Sequence, residues 1–230
     1  MEFELIRPPS WKRFTDLRSR WGKISLTRAL QYEELSELCV SGSLVDIGGG
    51  EKTPYRSWLR CRSYNSVNIS GDSDPTWVVN ETGKWPVEDS KFDVAISMNT
   101  LEHVFDAELF VREIVRITKP GGRVVIATPF LLPIHGCPDD YFRPTPSWYS
   151  KTFEKAGLVN IKVKSLVWGP FSTGAKCSGL PGPAKRLRMS FAMALDLFYY
   201  RIRSLLKGSN MRHDLGLGSL AFWIEADKAD

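Results

Sequence analysis

Short apolar runs alternate with helical segments through the middle of the chain, and this alternation constrains the fold more than any other feature. From Ser43 the segments read SLVDI, PYRSWL, SYNSVNI, FDVAISM, AELFVREIVRI and GRVVIATPF. Strands that alternate with helices form βαβ units, whose strands lie parallel in one sheet. The sequence therefore predicts an α/β fold with a mainly parallel sheet and right-handed crossovers.

The segments on either side extend this pattern. Two short helices are expected before residue 42, so residues 1–42 are interpreted as a helical appendage to a domain of residues 43–230. After Thr145, PSWYSKTFEKAGL predicts a helix that Gly157 ends. The next run, VNIKVKSLV, predicts a strand, and GSLAFWIEA predicts the closing strand.

Composition excludes several classes of protein. Of the 230 residues, 43% are hydrophobic and 25% are charged, which are ordinary values for a globular chain. No uncharged apolar run approaches the roughly 18 residues of a membrane span. Glu2 and Glu4 stand where a signal peptide has basic residues, so a cytoplasmic location is expected. The four cysteines form no C-x-x-C pair, which argues against a zinc site or a disulfide framework.

Three consecutive glycines follow the first strand of the predicted sheet. SLVDI leads directly into Gly48, Gly49 and Gly50. Glycines at the carboxyl end of a parallel strand allow a ligand to approach the backbone closely, although a tight structural turn uses them as well. The dinucleotide fingerprint G-x-G-x-x-G fails because Thr53 occupies its third glycine position, so a nicotinamide dehydrogenase is disfavoured.

Several segments occur together in the order VDIGGG, SVNI, WPVEDSKFDVAISMNTLEHV, VREIVRITKPGGRVVIATPF and HGCPDDYFRPT. Over about residues 43–166 the chain resembles class I S-adenosylmethionine-dependent methyltransferases. The resemblance implies a Rossmann-like methyltransferase fold and S-adenosylmethionine as the cofactor. It also implies a mostly parallel seven-stranded sheet with flanking helices, whose last strand, GSLAFWIEA, inserts antiparallel.

The resemblance also assigns the cofactor site residue by residue. Asp46 and the three glycines would hold the methionine end, Asn68 would meet the ribose, Asn80 would lie beside the adenine, and Met98 would shape the pocket. The family usually has an acidic residue at the positions of Asn68 and Asn80. Exchanging a charge-assisted hydrogen bond for a neutral one weakens binding by roughly tenfold at each site. A degenerate, non-catalytic binding protein therefore stays open as an alternative.

The loop after the predicted strand GRVVIATPF, which reads PFLLPIHGCPDDYFRPT, concentrates titratable and hydrogen-bonding groups beside the expected methyl donor. A hydroxyl acceptor must lose its proton, and His135 is the first choice as the base. Asp139 or Asp140 could orient that imidazole or bind neighbouring hydroxyls. The residues expected to bind substrate are His103, Tyr141 and Arg143. No grouping is distinctive enough to predict a metal.

The motifs PYR and P-x-x-H-G-x-P-x-D-Y-x-R-x-T resemble members of the family associated with carbohydrate biosynthesis. The leading hypothesis is an O-methyltransferase that acts on a sugar hydroxyl of a glycan or glycan precursor. A small-molecule or lipid methyltransferase is the alternative with the same cofactor. No nucleic-acid-binding motif accompanies the basic residues, so a nucleic-acid partner is not expected.

A basic amphipathic helix is expected from Ala184 to about Leu206, in an insertion at about residues 180–210. Its apolar residues fall at spacings of three and four: Leu187, Phe191, Leu195, Phe198, Ile202 and Leu205. One interpretation is a helix that packs in the core or in a homodimer. The other is a peripheral helix on the anionic inner face of a membrane, since lysines and arginines flank the stripe.

Overall fold

The computed structural model describes residues 1–4, 6–80, 83–136, 139–179, 182–207 and 218–230. Within these ranges one mixed sheet is flanked by helices. Its strands are β1 (Glu2–Glu4), β2 (Ser43–Ile47), β3 (Ser63–Asn68), β4 (Trp77–Val78), β5 (Phe92–Met98), β6 (Thr118–Pro129), β7 (Leu158–Leu166) and β8 (Ala221–Lys228). The helices are α1 (Trp11–Trp21), α2 (Leu26–Leu35), α3 (Ala107–Ile117), α4 (Pro146–Lys155), α5 (Pro170–Cys177) and α6 (Lys185–Lys207).

The strand order is β1-β7-β8-β6-β5-β2-β3-β4. β8 runs antiparallel to both β6 and β7, and the other neighbouring strands pair in parallel. The predicted α/β class and the antiparallel insertion of the last strand are therefore confirmed. The sheet has eight strands rather than seven, because β1 adds to the outer edge of β7.

Local signals account for most of the helix boundaries. Thr145 caps α4, Pro146 occupies its first turn, and Gly157 follows the helix with φ +87°. PYRSWL forms only the 3₁₀ turn Arg56–Trp58 between β2 and β3. The sequence analysis did not predict α5.

Two apolar cores lie on the two faces of the sheet. One packs α3 and α4 against the strands. The other contains residues of α1, α2 and α6, including the fully buried Leu30 and Leu35. Both helices predicted in residues 1–42 are present and cover the sheet that they precede.

α6 confirms the expected helix but not the expectation that its apolar stripe packs in the core. Leu187, Phe191, Phe198 and Ile202 are all exposed. The helix packs instead through the residues between them: Ala192, Met193, Asp196 and Leu197. Among the described residues, no helix is both long and apolar enough to cross a membrane. The remaining parts of the predicted insertion, residues 180–181 and 208–210, lie outside the described residues.

Candidate active site

A cleft of about 800 Å³ opens at the carboxyl ends of the parallel strands. Gly48, Asn68, Asn99 and Pro129 bring the ends of β2, β3, β5 and β6 to its wall. This edge is where open α/β sheets bind their ligands. α2 contributes as well, through Arg28 and its neighbours, so the N-terminal helices form part of the cleft.

The glycine turn reaches the cleft through Gly48, and none of its three positions has room for a Cβ. Gly48 has φ +88°, a left-handed conformation that favours glycine. A Cβ at Gly49 would overlap the Asp46 carboxylate, and one at Gly50 would overlap the carbonyl of Ser73. The three glycines are therefore required by close backbone packing as well as by any ligand.

Asp46 lies beneath the turn and is fully buried. Its carboxylate accepts hydrogen bonds from the hydroxyls of Tyr55, at 3.2 Å, and Tyr64, at 2.9 Å. Burial raises the pKa of Asp46 to about 7. Asp46 is not among the described residues that line the cleft. Its carboxylate packs against Gly49 on the buried side of the turn.

Asn68 lines the cleft and ties the glycine turn to the loop after β3. Its Nδ2 donates to the carbonyls of Gly48, at 2.9 Å, and Gly49, at 3.2 Å. Its Oδ1 accepts from the backbone N–H of Ile69 at 2.8 Å. A carboxylate has no donor for the two carbonyls. Asn68 can therefore make hydrogen bonds to the glycine turn that an aspartate at this position could not make.

The other predicted cofactor residues occupy different depths. Asn80 is exposed and lines the cleft, whereas Met98 is buried at the end of β5. Asp72, which sequence reasoning missed, is exposed and lines the cleft close to Asn68 in sequence. Asp72 would supply a carboxylate on the side of the cleft where the family usually has one.

The loop between β6 and α4 brings three of the predicted site residues together. Asp140 pairs with the Arg143 guanidinium and accepts the backbone N–H of His135 at 2.9 Å. The arginine holds the pKa of Asp140 down, at about 2. Asp140 Oδ2 also lies 3.5 Å from Nδ1 of His135. Of these three residues, only His135 lines the cleft.

Asp139 and Tyr141 belong to a second contact, with the segment after β5. The carbonyl of Asp139 hydrogen-bonds to Nδ1 of His103, and the Tyr141 hydroxyl donates to the Asp139 carboxylate at 3.2 Å. The backbone N–H of Tyr141 donates to the carbonyl of Glu102 at 2.9 Å. The loop is therefore docked on Glu102 and His103, and His103 lines the cleft.

Glu102 is a second residue that sequence reasoning missed. It is fully buried, and among the described residues neither of its carboxylate oxygens has a hydrogen-bond partner. Burial raises its pKa to about 8. Oε1 lies 3.7 Å from Nε2 of His103, whose ring stands 5.3 Å from the ring of His135. We call these three residues the Glu102–His103–His135 cluster.

Comparisons with known proteins agree with this architecture. Residues 45–126 match a family model described as a methyltransferase domain. A protein of Mycobacterium tuberculosis named as a probable S-adenosylmethionine-dependent methyltransferase is 24% identical over 158 residues, which cover 60% of this chain and 57% of the relative. The chain thus spans little more than half the length of this relative.

Two solved structures share the fold. An S-adenosylmethionine-dependent methyltransferase of Thermotoga maritima is 18% identical, with a TM-score of 0.53 and coverage of 95% of this chain and 98% of the other. Phosphoethanolamine N-methyltransferase 2 of Haemonchus contortus, in complex with S-adenosyl-L-methionine, is 15% identical. Its TM-score is 0.50, and the match covers 97% of this chain and 54% of that one. The fold is therefore the Rossmann-like fold of methyltransferases.

Proposed function

We propose that this chain, whose fold and matched domain are those of class I S-adenosylmethionine-dependent methyltransferases, transfers a methyl group from that cofactor to an acceptor oxygen. One observation carries the proposal: a turn of three glycines without room for a Cβ faces an 800 Å³ cleft at the carboxyl edge of the sheet. When bound, the cofactor supplies a methyl group on a sulfonium, which an acceptor lone pair attacks in line.

The donor side of the cleft fits the cofactor. Backbone groups of Gly48, Gly49 and Gly50 would hold the methionine end, on a turn that Asp46 supports from beneath. Asn68 and Asn80 line the part of the cleft assigned to the nucleoside, and Asp72 adds a carboxylate there. Asp72 would partly replace the acidic residue that Asn68 does not supply.

The acceptor would lie beneath residues 129–145. His135 and His103 line the cleft on this side, and His135 is the proposed base for an acceptor hydroxyl. Asp140 would orient the His135 imidazole through Nδ1, and Asp139 would do the same for His103 through its carbonyl. Tyr141 and Arg143 would stabilise the loop through their contacts with the carboxylates of Asp139 and Asp140.

A sugar hydroxyl of a glycan or glycan precursor is the acceptor that we propose. The loop motif that resembles carbohydrate-biosynthesis methyltransferases supports this choice. A small-molecule or lipid acceptor is the alternative, and relatives such as a demethylmenaquinone methyltransferase of Streptomyces griseus, 28% identical over 94 residues, favour it.

A second cleft of about 260 Å³ suggests where an anionic or lipid-linked part of the acceptor would lie. Its described lining includes four bases and no acidic residue: Arg18, Lys176, Lys185 and Arg186. Ser25 and Lys176 line both clefts, so the second one adjoins the first. α6 begins at this point and exposes its apolar stripe. We therefore propose peripheral contact of α6 with the anionic inner face of a membrane.

Binding of the demethylated cofactor, S-adenosylhomocysteine, tests the proposal by calorimetry. We expect micromolar affinity for the wild-type chain and at least about tenfold weaker binding for Gly49→Ala, because the new methyl group displaces the Asp46 carboxylate. Gly71→Ala is the matched control, since a Cβ there meets nothing within 4 Å. A wild-type chain that binds no cofactor at millimolar concentration would support the degenerate, non-catalytic alternative instead.

A further inference from the structure

The Glu102–His103–His135 cluster combines one carboxylate with two imidazoles at the wall of the cleft. One potential ligand atom from each side chain lies within 4.8 Å of the other two. Such a spacing lets a single cation contact all three after small side-chain rotations. One carboxylate and two histidines form a ligand set that proteins use for divalent transition metals, with further positions open to substrate or water.

The buried carboxylate provides an independent reason to expect a cation. A carboxyl group that is buried without a hydrogen-bond partner costs free energy, and neither Glu102 oxygen has such a partner among the described residues. The nearby Arg143 is already paired with Asp140. A cation at the cluster would compensate the Glu102 charge directly.

The surroundings of both imidazoles resemble those of metal ligands. Nδ1 of His103 hydrogen-bonds to the carbonyl of Asp139, which leaves Nε2 on the side of Glu102. Nδ1 of His135 lies 3.5 Å from the Asp140 carboxylate and 3.3 Å from the carbonyl of Pro133. Nη2 of Arg143, which is paired with that carboxylate, lies 3.4 Å from the same nitrogen. Carboxylates and carbonyls that hold the second nitrogen of a histidine fix its tautomer and orientation.

We propose that Glu102, His103 and His135 bind one divalent transition-metal cation at the acceptor side of the cleft. The role of this cation rests on the proposed function: it would bind the acceptor oxygen and lower the pKa of its hydroxyl, as metals do for water. The hydroxyl proton would then leave to solvent water in the cleft, and the oxygen lone pair would take the methyl group. His135 then acts as a metal ligand rather than as a free base. Acceptors with two neighbouring oxygens, which chelate a cation, fit this site best.

Calorimetric titration of the tag-free, chelator-treated full chain tests the site. Mn²⁺ is the main probe, because the exposed thiols of Cys39 and Cys177 would also attract Zn²⁺. We expect one Mn²⁺ per chain and at least about tenfold weaker binding for Glu102→Gln and for His135→Asn. Glu88→Gln is the control, since that carboxylate is 82% exposed and remote in sequence.

Thermal melting separates binding from folding. Mn²⁺ should raise the Tm of the wild-type chain but not that of Glu102→Gln. Without metal, Glu102→Gln should melt no lower than the wild type, because it replaces an unpaired buried carboxylate by a neutral amide. If Glu102→Gln does not fold, His135→Asn takes its place in the test. The His135 side chain is 41% exposed, so we expect this variant to fold.

Wild-type Mn²⁺ affinity in folded His135→Asn, or no Mn²⁺ binding by the wild type, would overturn the proposal. S-adenosylhomocysteine binding is measured in the same samples. Cofactor binding without metal binding removes the metal site alone and restores His135 as the candidate base. Metal binding without cofactor binding keeps the site and removes the methyl-transfer role.

Discussion

Asn68 shows how one side chain can serve two needs at the end of a strand. Family resemblance places it at the ribose, where an acidic residue is usual. In the structure its amide donates to the carbonyls of Gly48 and Gly49 while its oxygen accepts from the next backbone N–H. An amide can do both because it carries a donor and an acceptor on one group. The glycine turn is therefore held from the cleft side by Asn68 and from beneath by Asp46.

Asn68→Asp tests this role. The aspartate would place a carboxylate against two carbonyl oxygens, so we expect S-adenosylhomocysteine affinity to fall by about tenfold. Asn80→Asp is the matched comparison, because Asn80 is exposed on the same cleft. Its affinity should stay equal or improve. Tighter binding by Asn68→Asp in calorimetry would show that residue 68 faces the ribose when the cofactor is bound.

α6 presents opposite properties on its two faces. On its inner face, Asp196 binds the start of α5: its carboxylate accepts hydrogen bonds from the backbone N–H groups of Phe171, at 2.8 Å, and Ser172, at 2.9 Å. Its outer face exposes Phe191, at 66%, and Phe198, at 62%. Exposed apolar residues flanked by bases are typical of helices that lie on anionic membranes. The contact of Asp196 with α5 would hold this outer face in a fixed orientation.

Vesicle sedimentation tests the outer face of α6. We expect the chain to bind vesicles that contain anionic phosphatidylglycerol and to bind pure phosphatidylcholine at least about tenfold more weakly. The double variant Phe191→Ser/Phe198→Ser should lose most of this binding, since each ring contributes buried apolar area. Phe105→Ser, at an 80% exposed position away from α6, is the control.

Light scattering on the same variants distinguishes a membrane from a second copy of the chain. If the wild type is a dimer, fails to bind anionic vesicles and becomes monomeric in the double variant, the stripe is a homodimer interface. A wild-type monomer that binds vesicles supports the membrane contact.

At the scale of the whole molecule, the N-terminal helices contact the edge of the sheet that carries the cleft. Gln31 of α2 is fully buried and exchanges two hydrogen bonds with Asn99, which follows β5. The distances are 2.7 Å and 3.0 Å. Asn99 has φ +54°, so this amide pair holds a left-handed residue beside the cleft. Residues 1–42 thereby help to shape the site as well as the second core.

A double-mutant cycle on Gln31 and Asn99 tests this connection. We expect Gln31→Ala to lower the free energy of unfolding by about 2 kcal/mol, because it leaves the buried side of the Asn99 amide unsatisfied. Adding Asn99→Ala should cost less than the sum of the single variants. Strictly additive losses in denaturant unfolding would show that the pair does not act as a unit.

The sequence by itself determined the parts of this protein that depend on local patterning. Alternating apolar runs predicted the strands β2, β3, β5, β6, β7 and β8, because burial on both faces of a sheet requires continuous apolar residues. Capping and glycine signals predicted α4 and its end at Gly157. VDIGGG predicted the cleft, because close backbone approach at a strand end requires glycine.

Only the tertiary structure decided which side chains meet and which faces are covered. The periodicity of α6 predicts an apolar stripe but does not tell whether protein or solvent covers it, and the stripe is exposed. Glu102 and His135 lie on different loops, so their proximity depends on how residues 139–143 dock after β5. The unpaired Glu102 carboxylate arises from that docking, because burial and hydrogen-bond partners are properties of packing rather than of residue type.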